Sequence, residues 1–222
     1  MIDPNFRYIK FNNFPEEHIQ RLRDIASENL EAGILGENAT YIHDSKHRRF
    51  FIEDFSHVPF EINGVSFVIN MFISKPNTGM WYTHVDANRD FALNIPLQVE
   101  QEKGYVLVYN SDDYTKLGKN VQQYDEITDE IKEILESLGR KVDVTDPVAL
   151  ENHMKAGKAM HWLGPTESDF EKVLLDKPMI LNTSIPHSFV NHDDKFRVVA
   201  SLQMPVGEDF NEAYDQSLKE FL

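Results

Sequence analysis

Cysteine is absent from the 222 residues. That removes disulfides, thiolate-held zinc, iron–sulfur clusters and thiol nucleophiles together, so any metal must rest on His, Asp or Glu. Basic residues are scarce: 22 Lys and Arg stand against 37 Asp and Glu, a formal net charge of −15. Such a field repels polyanions, and neither nucleic acid nor an anionic membrane surface is an expected partner. Missing too is any run approaching the roughly 18 apolar residues that a membrane span requires. The opening "MIDPNFRYIKFNNF" has no basic stretch followed by a long apolar one. The expectation is a soluble, cytoplasmic protein.

What is present belongs to a globular chain: 41% hydrophobic residues and 15 Phe, enough for a sizeable core. "FPEEHIQRLRDIASENLEAG" spaces Ile19, Leu22, Ile25 and Leu30 at helical intervals, with acidic residues in its first turn and Gly33 near its end. From residue 63 the texture changes to short β-rich runs, "NGVSFVINMFIS", "FALNIPLQV", "GYVLVYN", "EKVLL", "PMILNTS" and "FRVVASLQM", separated by Gly, Pro, Asn and Asp. Strands at this density predict a barrel or sandwich. "YDEITDEIKEILESLG" and "DPVALENHMKAG" interrupt them with helical periodicity. No internal repeat or low-complexity linker divides the chain, so a single domain over 1–222 is expected. It comprises an N-terminal extension (1–64), a β core (65–205) with a helical insertion (123–157), and a C-terminal tail (206–222).

His84 and Asp86 stand two apart in "WYTHVDANRDFALNIPLQ". On extended backbone, side chains at i and i+2 point the same way, so an imidazole nitrogen and a carboxylate can converge on one point. A third ligand is available downstream in "NTSIPHSFVNHDDKFRVVASLQM", where either His187 or His192 would serve. Two histidines and one carboxylate on one face of an octahedron leave three positions open, the facial triad of non-haem Fe(II) oxygenases.

With HVD, a distal His and an Arg ten residues beyond it in "HSFVNHDDKFR", the chain resembles the Fe(II)/2-oxoglutarate-dependent oxygenases over about residues 65–205. "HVDANRDFALNIPL" and "LNTSIPHSF" are similar to the aspartyl- and prolyl-hydroxylase-like branch. The resemblance implies a double-stranded β-helix, a cupin-like jelly roll that is mainly β with flanking helices. It also implies His84, Asp86 and His187 as the metal ligands and catalytic centre, since the basic residue lies ten past His187 and only five past His192. Arg197 would then hold the far carboxylate of 2-oxoglutarate.

Alternation supports that placement: Arg197, Val199, Ser201 and Gln203 share one face of the last strand, and Phe196, Val198, Ala200, Leu202 and Met204 the other. Ser201 joins Arg197 as a candidate co-substrate residue, and Asn94, between Leu93 and Ile95, is a third. The other histidines read as structural or surface residues. "HDSKHRRFF" reads as a solvated basic loop, and Trp81, Tyr82 and Arg89 flank the ligands.

The function expected is that of an Fe(II)- and 2-oxoglutarate-dependent dioxygenase that hydroxylates an amino-acid side chain or small metabolite and releases succinate and CO2. Its partner would be a small molecule or peptide, neutral or zwitterionic. A cupin-type isomerase or hydrolase without 2-oxoglutarate, or a non-catalytic jelly-roll binding module, are the alternatives. Arg197 distinguishes the first of these, because such chemistry does not need it.

Overall fold

A computed structural model describes residues 6–30, 34–35, 50–81, 83–86, 90–100, 102–117, 161–162, 165–204 and 210–222. The helical insertion expected over 123–157, most of "HDSKHRRFF", Tyr82 and Arg89 lie outside them. Helix α1 (Glu16–Asn29) begins after Pro15, with Glu16 and Glu17 in its first turn, where carboxylates complement the exposed amides. It ends where Leu30 turns extended while its N–H still donates to the Ala26 carbonyl. Its buried stripe is Ile19, Leu22, Ile25 and Ala26, three of the four apolar positions seen in the sequence plus an alanine.

The strands are β1 (Tyr8–Lys10), β2 (Phe50–Asp54), β3 (Phe60–Ile62), β4 (Val65–Ser74), β5 (Gly79–Met80), β6 (Thr83–His84) and β7 (Phe91–Gln98). They continue with β8 (Gly104–Tyr109), β9 (His161–Trp162), β10 (Phe170–Leu174), β11 (Met179–Asn182), β12 (His187–Asn191) and β13 (Arg197–Gln203). One antiparallel sheet runs β1-β11-β7-β13-β4-β2, with β3 hairpinned onto β4; the other runs β10-β8-β12-β6-β9, with β5 on β12. From β4 onward the chain passes back and forth between the two, which is the winding of a double-stranded β-helix. The 1–64 extension contributes strands as well as α1, because β1, β2 and β3 all join the first sheet.

Period-two alternation assigns every face. On β8, Val106 and Val108 enter a cluster with Phe72, Val199, Met179 and Leu181 of the opposite sheet, so this is the interior. Tyr105, Leu107 and Tyr109 point out, against Trp162, Phe170 and Leu117. The outer face of the first sheet presents Ile69, Met71, Ile73, Leu93, Ile95, Val198, Ala200 and Leu202 to α1. The C-terminal helical residues from α2 (Phe210–Ala213) to Phe221 cover the same face with Tyr214, Leu218 and Phe221.

Two irregularities have a residue-level cause. Asn63 and Gly64, both at positive φ, form the two-residue turn between β3 and β4, a backbone that these residue types accept and that matches strand twist. In the central strand β7, Pro96 has no N–H for the ladder, and the β7–β13 register shifts there: Val198 faces Gln98, but Val199 faces Pro96. This bulge lies one residue from Arg197, the kind of position at which bulges re-aim side chains.

Truncating Leu22, fully buried beneath α1, to alanine should cost roughly 2–5 kcal/mol through lost apolar contact and a residual cavity. Arg23→Ala, which removes an exposed 2.8 Å pair with Glu16, should change stability by less than about 1 kcal/mol. Urea unfolding of both variants measures the difference, with α1 expected to fall away as part of the core rather than as an appendage.

Candidate metal centre

His84 ends β6 and His187 begins β12, and the two are register partners in adjacent antiparallel strands. Directly opposed residues have Cβ atoms about 5 Å apart on one face. The imidazoles follow suit, with ring centroids 4.4 Å apart. Asp86 lies past the end of β6, not on a continuing strand, so the i, i+2 geometry read from extended backbone holds only in part. Its carboxylate still returns to the histidines: Asp86 Oδ1 is 3.6 Å from His84 Nε2, and one ligand atom from each of His84, Asp86 and His187 lies within 4.8 Å of the others. Bonds of about 2.1 Å to a single ion would place neighbouring ligand atoms about 3 Å apart, so small rotamer adjustments suffice.

Backbone hydrogen bonds fix this corner. The Asp86 N–H donates to the Thr183 carbonyl at 2.9 Å, and the Thr183 N–H donates to the Asp90 carbonyl at 2.8 Å. The Tyr109 N–H donates to the carbonyl of Pro186, immediately before His187, at 2.9 Å. The segment carrying Asp86 and the turn carrying His187 are thus tied to each other, not merely adjacent. His187 is also oriented: its Nδ1 is 2.9 Å from the Ile185 carbonyl. A carbonyl can only accept, so Nδ1 carries the proton and the lone pair sits on Nε2, the tautomer a metal ligand needs.

His192 goes elsewhere. It is half exposed, 2.8 Å from Glu167 Oε1, with Tyr105 donating to the other oxygen of the same carboxylate. Burial and the Glu167 hydrogen bond push the Tyr105 phenol well above its ordinary range. The histidine left open as an alternative ligand is therefore engaged on the outer side of β8.

Arg197, at the start of β13, shares the interior face with Val199 and Ser201. It is 1% exposed, and Nε, Nη1 and Nη2 all lack a hydrogen-bond partner among the described residues. Burial pulls the guanidinium down to about 9. Its plane lies over Phe189, 5.1 Å from the ring centroid. Asp193, four residues before it, is otherwise occupied: it accepts from Lys103 at 3.2 Å and from the Asp194 N–H at 3.0 Å. Ser201 faces Asn94 on β7 and Asn70 on β4, a polar row across three strands of the same interior wall.

Phe189 and Gly104 also belong to this interior and were not singled out from sequence. Phe189 is two residues past His187 and so on its face, with its ring 5.7 Å from His187 and 6.0 Å from His84. Strand parity in "HSFVN" was the available signal. A Cβ on Gly104 would meet Arg197 Cδ at 3.4 Å and Val99 Cγ1 at 3.0 Å, so the absence of a side chain there makes room for the arginine stem.

No protein-family profile and no curated protein sequence matches the chain. Among solved structures it is similar to the non-heme alpha ketoglutarate dependent epimerase SnoN from nogalamycin biosynthesis, at 11% identity over 91% of this chain and 83% of that one, TM-score 0.42. It is similar also to the carbocyclase SnoK of the same biosynthesis, at 9% identity over 93% and 85%, TM-score 0.41. A third is EvdMO1, at 12% identity, where 88% of this chain spans 46% of that chain, TM-score 0.42. Likenesses of this size decide nothing about chemistry, which rests on the side chains themselves.

His187→Ala should abolish tight binding of a divalent ion, a loss well beyond the tenfold to hundredfold of an outer-shell change. His192→Ala should leave binding unchanged. Titration with Mn(II), followed by its paramagnetic resonance signal, separates the two.

Proposed function

We propose that the protein is an Fe(II)- and 2-oxoglutarate-dependent oxygenase acting in the cytoplasm on an amino-acid side chain, free or in a peptide, or on a small metabolite. One observation carries this reading: a fully buried guanidinium with no hydrogen-bond partner among the described residues faces the same interior as a His, Asp, His cluster. A buried cation stripped of water is costly unless an anion completes it. A dicarboxylate that chelates a metal at one end and ends in a carboxylate at the other answers both features, whereas an isomerase or hydrolase site uses only one.

The donor set fits iron. Two imidazoles and a carboxylate, without thiolate, suit a divalent ion that must keep positions open for two further ligands. His84, Asp86 and His187 would hold the metal and Arg197 the distal carboxylate, with Ser201 and Asn94 along the wall between. When bound, the pair would supply, with dioxygen as the oxidant, oxidative decarboxylation to succinate and CO2 together with oxidation of a substrate C–H bond, one oxygen atom going to each product, and we infer hydroxylation as the outcome.

The chain's own residues bind, orient and shield. The Ile185 carbonyl keeps the His187 proton on Nδ1. Phe189, packed beneath both histidines and the guanidinium, keeps water from the space between metal and arginine. Positioning of this kind is the protein's share in cofactor chemistry.

Arg197→Met should stabilise the ligand-free chain or leave it unchanged, since it removes, at similar volume, a buried charge with no partner among the described residues. The same change should weaken 2-oxoglutarate by roughly 2–5 kcal/mol and leave Mn(II) binding intact. Thermal unfolding with and without 2-oxoglutarate, and anaerobic titration of the Fe(II) protein followed in the visible, check both parts. Equal 2-oxoglutarate protection in wild type and variant would overturn the assignment.

A further inference from the structure

Glu171 is the only carboxylate on the described strands of the second sheet. Its register partner on β8 is Val108, which pairs with His187 on β12, which pairs with His84 on β6. Residues opposed across antiparallel strands share a face. Glu171 therefore points inward at the level of the metal cluster, two strands from His187, or roughly 10 Å between Cα atoms at the usual strand spacing. The other sheet confirms the direction, because Tyr8 of β1 packs against the interior cluster and donates its hydroxyl to Glu171 Oε1 at 3.0 Å.

A latch between sheet edges would explain the pair, but not its chemistry. The same edge is already closed by Lys10 with Asp176 at 2.5 Å and by Lys177 with Asn12 at 3.0 Å. Tyr8 needs only an acceptor, which a neutral glutamine would provide. A half-buried carboxylate costs desolvation that an amide would not. Tyr8 takes Oε1, and Oε2 has no hydrogen-bond partner among the described residues.

We propose that Glu171, oriented by Tyr8, binds a cationic group of the substrate, an ammonium or guanidinium, while the carbon to be oxidised lies at the metal. This rests on the reading of His84, Asp86 and His187 as the catalytic metal centre and narrows its substrate class to amines. The interior then has opposite polarity at its two levels: a cation awaiting an anion at Arg197, and an anion awaiting a cation at Glu171.

The test measures binding to the full chain without added metal, by saturation-transfer NMR and calorimetry. The probes are 1-pentylamine, agmatine and L-lysine, matched against 1-pentanol, valerate and L-norleucine. At least one amine should bind about tenfold or more tightly than its uncharged match. That advantage should fall to within about twofold in Glu171→Gln, which keeps an acceptor for Tyr8, and should shrink in Tyr8→Phe, which removes only the donor. Both variants should unfold at the wild-type midpoint. An amine preference that survives in Glu171→Gln, no preference in wild type, or no amine binding up to about 10 mM overturns the proposal. Succinate formation with Fe(II) and 2-oxoglutarate is followed in parallel. Amine selectivity that tracks Glu171 without any succinate would sink the oxygenase reading and leave the cation site, and succinate formation indifferent to amines and to Glu171 would do the reverse.

Discussion

A guanidinium held between two β-sheets with no hydrogen bond to any described residue sets the terms on which the rest of the fold is built. Removing such an ion from water costs several kcal/mol even after relaxation. The interior can hold it only if other surfaces contribute apolar burial, and they do. Helix α1 and the C-terminal helical residues cover one sheet, and an aromatic layer around Trp162, Tyr109 and Phe170 lies on the other. The interior itself is released from being a uniformly apolar core. Histidines, Asn94, Ser201 and the arginine occupy it alongside valines and two phenylalanines.

Strand parity separates these tasks. On β13 the inward set is Arg197, Val199 and Ser201 and the outward set is Val198, Ala200 and Leu202, so one seven-residue strand contributes at once to a polar interior wall and to the helix-facing core. On β12, His187 and Phe189 face in while Ser188 and Val190 belong to the other side; the Ser188 hydroxyl donates to the Trp81 carbonyl at 2.5 Å and fastens the strand that leads to His84. Structural fastening and ligand presentation alternate residue by residue along the same backbone.

How much of this was legible depended on the range over which each feature is encoded. The six β-rich runs and α1 are local patterns, and all seven appear as elements. His84, Asp86 and His187 were legible because residue type and order carry the chemistry, and they converge where adjacent strands pair. β12 is hard to read as a strand because His187, Ser188 and Asn191 leave only Phe189 and Val190 apolar in its five residues. The inter-sheet contact of Tyr8 with Glu171 was invisible: 163 residues separate the two, and neither stands in any motif. Pro96 also misleads locally, since proline argues against a central strand, and only the compensating bulge opposite β13 explains how β7 keeps its place.

That bulge has a bearing on how such a chain can change in length. A side chain's face is decided by whether its position is odd or even, so inserting one residue within β13 just after Arg197 would carry Val198 inward and send Val199 and Ser201 toward the helices, reversing every assignment downstream of the insertion. The same insertion between strands adds only a loop-closure term that grows with the logarithm of length. A local skip such as the one at Pro96 lets one strand change phase against its neighbour while the residues beyond it stay on their own faces. Counting errors in this architecture are thus either confined at a bulge or expelled to the connections, and the strands that carry the site behave as sequences in which distance along the chain is conserved modulo two.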